Sequence, residues 1–185
     1  MSTSIEEKII FPILKAYDWI GKEHAVHQNF LDVDRAPMPV IAYGHNMQHS
    51  YMFITKKEKT DDLDEFYSDA LSNLTSLDAK WVKAEENVVS ASGDDFSSEQ
   101  ILNKDFLLQA GKLLETDKLH VAIPKRTLIF AVNANASEEE LNHFYSNIRR
   151  IYEDDTINHA SITNLVFEFT DGEYTGAQLI EINKD

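Results

Sequence analysis

The chain has 185 residues, no cysteine, and 17 Lys and Arg against 32 Asp and Glu, for a formal net charge of -15. That length suits one compact domain whose core needs no covalent staple. Without cysteine there is no disulfide framework, no thiolate zinc or iron–sulfur site and no cysteine nucleophile.

Taken in order, Ile5, Ile9, Ile13 and Ala16 recur at helical spacing and predict a helix over Thr3 to Trp19, kinked or ended by Pro12. The opening MSTSIEEKIIFPILKAY carries two glutamates before a short apolar run, whereas a signal peptide needs a basic start and a longer apolar stretch. No run approaches the roughly 20 apolar residues of a membrane span. The expectation is a cytoplasmic protein. His24 to Pro39 lacks a period and reads as a loop. PVIAY and SYMFIT are β-prone runs joined by GHNMQH, a hairpin with a longer connection. TDDLDEFYSDALSNL is an amphipathic helix with Leu63, Phe66, Tyr67, Ala70, Leu71 and Leu74 on one face.

Beyond it, WVKAEENVVSA reads as an extended strand, SASGDDFSSE as a turn-rich break and ILNKDFLLQAGKLL as a helical region. HVAI and TLIFAV are strands flanking Pro124-Lys125-Arg126. SEEELNHFYSNIRRIY is a helix with a capping box at Ser137 and Glu140. LVFEFT and YTGAQLIEI surround Asp171-Gly172, a two-residue hairpin signal. The fold class expected is α+β: largely antiparallel sheet or sheets built from hairpins, with helices packed on one face.

The segment Leu63 to Ala70 resembles Leu141 to Ile148, and each follows a pair of strands and precedes another. The expected organisation is therefore a single domain over 1–185, with 1–37 as an N-terminal helix and loop. Two similar strand-strand-helix-strand halves would span 38–92 and 118–182. Convergence is the competing explanation, because Leu, Phe and Tyr at these spacings describe any buried helix face.

Charge is unevenly spread. Lys and Arg against Asp and Glu number 7 and 7 in residues 1–60, 4 and 14 in 61–117, and 6 and 11 in 118–185. An acidic body is repelled by polyanions, so nucleic acid is not an expected partner, and neither is a membrane. Such a surface fits a basic protein partner, or solubility alone.

The series PVIAYGHNMQHSYMFI, LDEFYSDALSNL, FLLQAGKLL, VAIPKRTLIFAV and LVFEFTDGEY resembles, in order and spacing, the YtpQ-like family of uncharacterised bacterial proteins. The resemblance covers the chain from about Pro39 onward. It implies a cytosolic α/β-type domain and carries over no catalytic residue. The long loop before Pro39 departs from the family's pattern.

Candidate sites follow from residue chemistry. Lys125 and Arg126 offer an ammonium and a planar guanidinium fork to a carboxylate or phosphate. Against that, proline presets a turn and cations commonly line strand edges. His45 and His49 are weak candidates for a metal, as are His24 and His27 near Asp32 and Asp34, because no third ligand is evident. Asp61-Asp62, Asp94-Asp95 and Asp154-Asp155 match no EF-hand loop and suit helix starts and turns. There is no nucleophile elbow, dinucleotide fingerprint or phosphate loop, and no cofactor is expected. The function expected is a non-catalytic protein-interaction or regulatory module with an acidic surface. The alternative is an enzyme, or a small-anion or metal-binding protein, with a site assembled from dispersed His, Lys and Arg residues.

Overall fold

The computed structural model of the chain describes residues 9–47, 50–57, 63–93 and 95–181. Their architecture is α+β, with two open antiparallel sheets and three α-helices. The first sheet contains β1 (Ile10–Lys15), β2 (His27–Asn29), β3 (Val40–Met47) and β4 (Ser50–Phe53). β3 is its spine: β1 pairs along one side, while β2 and β4 share the other side end to end. The second sheet contains β5 (Val82–Glu85), β6 (Val88–Ser92), β7 (Lys118–Ala122), β8 (Leu128–Asn133), β9 (Leu165–Thr170) and β10 (Glu173–Leu179). Its order is β10-β9-β7-β8-β6-β5. The helices are α1 (Leu63–Thr75), α2 (Lys104–Leu113) and α3 (Glu138–Glu153).

Period-two alternation gives the second sheet two apolar faces. Leu119, Val121, Ile129, Ala131, Phe167 and Phe169 point into one core with Leu14, Ile41 and Tyr43 of the first sheet, Phe66 and Ala70 of α1, and Phe106 and Leu107 of α2. Ala122, Val132 and Val166 point the other way, onto Phe144 and Ile148 of α3. α3 is capped as its sequence predicts: the Ser137 side chain accepts from the Glu140 N–H, and the Glu140 carboxylate accepts from the Ser137 N–H.

The start of the chain differs from the helix expected over Thr3 to Trp19. Residues 1–8 lie outside the described residues, and Ile10–Lys15 is a strand. The first-sheet edge explains how it tolerates Pro12. Leu14, two residues on, sends its N–H away from β3, so the donor that Pro12 lacks would also have faced off the sheet. A dense β-branched run packed on two sides satisfies strand and helix templates alike, and tertiary pairing decides.

Three further differences are local. The presumed loop from His24 contains β2, which pairs with β3. WVKAEENVVSA folds back on itself as the β5–β6 hairpin. The helical region from Ile101 breaks at Asn103, whose side chain accepts from the Phe106 N–H and starts α2 after a 3-10 segment, Ser98–Leu102.

α1 and α3, the two helices with similar sequences, occupy different settings. β3 and β4 precede α1 in the first sheet, while β5 after it pairs with β6 in the second. β7, β8 and β9 around α3 all lie in the second sheet. What the helices share is a buried face, Phe66 and Ala70 in one and Phe144 and Ile148 in the other.

Candidate functional site

The Pro-Lys-Arg step is a turn between β7 and β8 that sends its two cations to different places. Lys125 bridges antiparallel to Ser161, and its side chain is 2% exposed, with Nζ donating to Ser161 Oγ at 3.2 Å. Leu128 N–H returns to the Lys125 carbonyl at 3.2 Å, closing a turn that holds Thr127 at φ 63. Left-handed backbone at a β-branched residue is a strained conformation. Arg126 leaves this turn toward the first sheet, where its Nη2 donates to the Tyr51 hydroxyl at 2.8 Å. The guanidinium carbon also lies 4.5 Å from the centre of the Tyr51 ring. Lys125 and Arg126, adjacent in sequence, therefore share no partner among the described residues.

Behind Arg126 lies a buried polar knot that ties the two sheets together. Glu99 is 2% exposed; its Oε1 accepts the edge N–H of Leu14 at 2.9 Å and its Oε2 accepts the Ser98 hydroxyl at 2.8 Å. Ser98 Oγ in turn accepts the Thr127 N–H at 3.1 Å. One carboxyl thus links β1, the 3-10 segment and the β7–β8 turn. Burial pushes the Glu99 carboxyl above its ordinary value, while its hydrogen bonds and the nearby Arg126 pull it back. Thr127 Oγ1 is buried among the described residues without a hydrogen-bond partner. Such an orphan hydroxyl calls for an explanation.

Lys15, at the end of β1, is the second cation here. Its Nζ sits 5.0 Å from the Phe53 ring centre and 5.5 Å from that of Trp19. Among the described residues it makes no hydrogen bond. Burial lowers its pKa first and the Arg126 charge lowers it further, with Glu99 opposing both. Neither cation reaches ion-pair contact with Glu99 among the described residues. An aromatic row flanks them: Trp19 is 4.8 Å from Phe53, Phe53 6.5 Å from Tyr51, and Tyr51 5.6 Å from Phe96, ring centre to ring centre. Burial pushes the Tyr51 hydroxyl up to about 12 despite Arg126, so it stays protonated at neutral pH.

Of the expected histidine pair His45 and His49, only His45 falls among the described residues. His45 is in β3 rather than in a loop, is buried, and its Nδ1 lies 3.2 Å from the Ile9 carbonyl oxygen. His49 lies outside the described residues, as do Asp61, Asp62 and Asp94. Asp95 accepts from Asn46 at 3.2 Å, and Asp154 accepts from the Thr156 backbone at 2.9 Å. Among the described residues no three His, Asp or Glu side chains group so as to hold a metal ion. No described helix is long and apolar enough to cross a membrane.

Lys15, Tyr51, Ser98, Glu99 and Thr127 carry no sequence motif that marks them. Their only early signal is polarity beside apolar runs, and it takes the sheet pairing to bring positions 15, 51, 99 and 126 together. No family model matches the chain, and comparison with curated proteins and with solved structures returns no significant match.

Proposed function

We propose that this chain is a non-catalytic regulatory module that takes up a small anion, a carboxylate or phosphate, between Lys15 and Arg126. The observation that carries this reading is the convergence of two half-buried cations from different sheets with neither in ion-pair contact among the described residues. The guanidinium spends one donor on Tyr51 and keeps others for a ligand, and among the described residues the Lys15 ammonium spends none of its donors. Because the site spans the seam between the sheets, an occupant would stiffen their mating, which is how binding becomes regulation. The Trp19–Phe53–Tyr51 row favours an anion with a flat apolar body.

The test is a titration of the Trp81→Phe variant with inorganic phosphate and with benzoate. Trp19 is then the sole tryptophan, and its fluorescence and the melting temperature are read together. Binding that is lost in Lys15→Gln and in Arg126→Gln supports the reading. Flat responses to both anions at millimolar concentration, with the wild type also flat in calorimetry, would remove it.

A second reading, docking of a protein strand, is favoured by β5. This outer strand pairs on its β6 side, all four of its residues are exposed and Val82 is 64% exposed. Exposed sheet edges accept partner strands, and the acidic body selects basic ones. Val82→Lys should abolish capture of such a partner while leaving anion binding intact. The YtpQ-like likeness, a bacterial source and a cytoplasmic location belong to the same proposal, supported by the motif order from Pro39 onward and by the cysteine-free composition.

A further inference from the structure

A cavity of about 360 Å³ opens between the outer face of α3 and the end of β10, away from the Lys15–Arg126 seam. Asn142, Tyr145, Ser146 and Arg149 line it at the i, i+3, i+4, i+7 spacing of one helix face, with Gln178 and Glu181 opposite. A helix face turned toward a sheet edge is ordinarily apolar; this one sets Asn142, Ser146 and Arg149 around the Tyr145 ring, and Leu179 and Ile180 are the apolar part of the lining. Its floor is a fixed chain of hydrogen bonds. Gln178 Nε2 donates to the Tyr145 hydroxyl at 2.8 Å, and that hydroxyl lies 2.7 Å from His120 Nδ1. Tyr145 accepts from Gln178, and in the Nε2–H tautomer of His120 its own proton goes to Nδ1.

That direction leaves acceptors facing the cavity. Tyr145 keeps a lone pair, and Gln178, having spent an N–H, keeps its carbonyl oxygen. Arg149 donates no hydrogen bond among the described residues. Arg149 and Glu181 line the same space with opposite charges and are not in ion-pair contact there. A cavity that presents, among the described residues, an unpaired cation and an unpaired anion with neutral acceptors between them is complementary to a molecule carrying both charges.

We propose that the α3–β10 cavity binds a small zwitterion of amino-acid type, with its carboxylate on Arg149 and its ammonium between Glu181 and the oxygens of Tyr145 and Gln178. The full chain, labelled with nitrogen-15, is titrated with L-alanine, L-leucine, acetate and methylammonium while the Gln178 side-chain amide and Arg149 Nε signals are followed. The two amino acids should shift both signals saturably, and the half-ligands at equal concentration should not. Arg149→Gln should weaken binding by about tenfold or more, as expected for loss of a charged hydrogen-bonded pair. Arg149→Lys, which keeps the charge but loses the fork, should fall between, and Lys15→Gln should bind like wild type. The proposal is overturned by amino acids that leave both signals in place. It is equally overturned by acetate shifting them as strongly as alanine, or by Arg149→Gln without ligand shifting the signals of residues after Glu181, which would make the chain's own end the occupant.

Discussion

Arg126 and Tyr51 join the two sheets at one point: the guanidinium donates to the phenol oxygen at 2.8 Å while lying 4.5 Å from the centre of the same ring. The two contacts are separable by substitution. Tyr51→Phe removes the acceptor and keeps the ring, and should cost about 1 kcal/mol of unfolding free energy in urea denaturation. Tyr51→Ala removes the ring as well, including its contacts with Phe53 and Phe96, and should cost at least twice that. Equal losses in the two variants would show that the ring contributes nothing.

Glu99 makes stability depend on pH in a definite direction. Its folded pKa is raised above the ordinary 4.5, so between 4.5 and the raised value the folded state holds a proton that the unfolded state has released. Its contribution is therefore full below pH 4.5 and is lost as pH rises through the folded value. The slope cannot exceed about 1.4 kcal/mol per pH unit for one proton. Glu99→Gln keeps an oxygen for the Leu14 N–H and should abolish that slope in denaturant melts taken at several pH values. Glu99→Ala leaves the Leu14 N–H without its acceptor and should be about 1–3 kcal/mol less stable than Glu99→Gln at every pH.

The contrast between Pro12 and the Asp171-Gly172 pair shows what was legible in the sequence and what was not. The β9–β10 hairpin, α1, α3 and its cap were readable because their signals are local: turn residues, a capping box and a helical apolar stripe all act within a few positions, whereas the β5–β6 hairpin reads as one extended strand. β1 was misread because IIFPIL satisfies more than one periodicity, and its strand state depends on β3, which starts 25 residues after β1 ends. The seam site was invisible for the same reason. Lys125 and Arg126 stood out as a doublet, yet the turn parts them, and the partners Arg126 meets, Tyr51 by contact and Glu99 by charge, come from distant segments.

Two glycines with similar backbone separate strain from crowding. Gly172 has φ +73 and a Cβ there would come 3.0 Å from Lys104 Cγ and 3.2 Å from Leu108 Cγ, whereas Gly93 has φ +89 and a Cβ there would meet nothing among the described residues within 4 Å. Gly93→Ala should lose about 1–2 kcal/mol, the cost of left-handed backbone at an L-residue. Gly172→Ala should lose more, because α2 must yield to the new methyl as well. Thermal melts of the two variants side by side give the difference, and a Gly93→Ala loss equal to or larger than that of Gly172→Ala would contradict it.

His120 opposes Glu99 in the acid range. Burial lowers the His120 pKa below its ordinary 6.5, with Glu168 pulling the other way, and its Nδ1 accepts the Tyr145 hydroxyl only while unprotonated. Below pH 6.5 the unfolded state takes up a proton that the folded state refuses, so this contribution is present above 6.5 and is lost as pH falls through that value toward the folded pKa. Where the window above 4.5 and the window below 6.5 overlap, the two groups tilt stability in opposite senses, and there the wild type should show a flatter profile than either single variant. His120→Gln, which can still accept from Tyr145, should expose the Glu99 slope, with stability rising as the solution is acidified. Glu99→Gln should expose the His120 slope, with stability falling on acidification. The double variant should lose both tilts, because the groups lie on opposite faces of the second sheet and their effects should add. Measured unfolding free energies from pH 4.5 to 7 for these four proteins decide the matter: if both single variants tilt the same way, the assignment of one of the two groups is wrong.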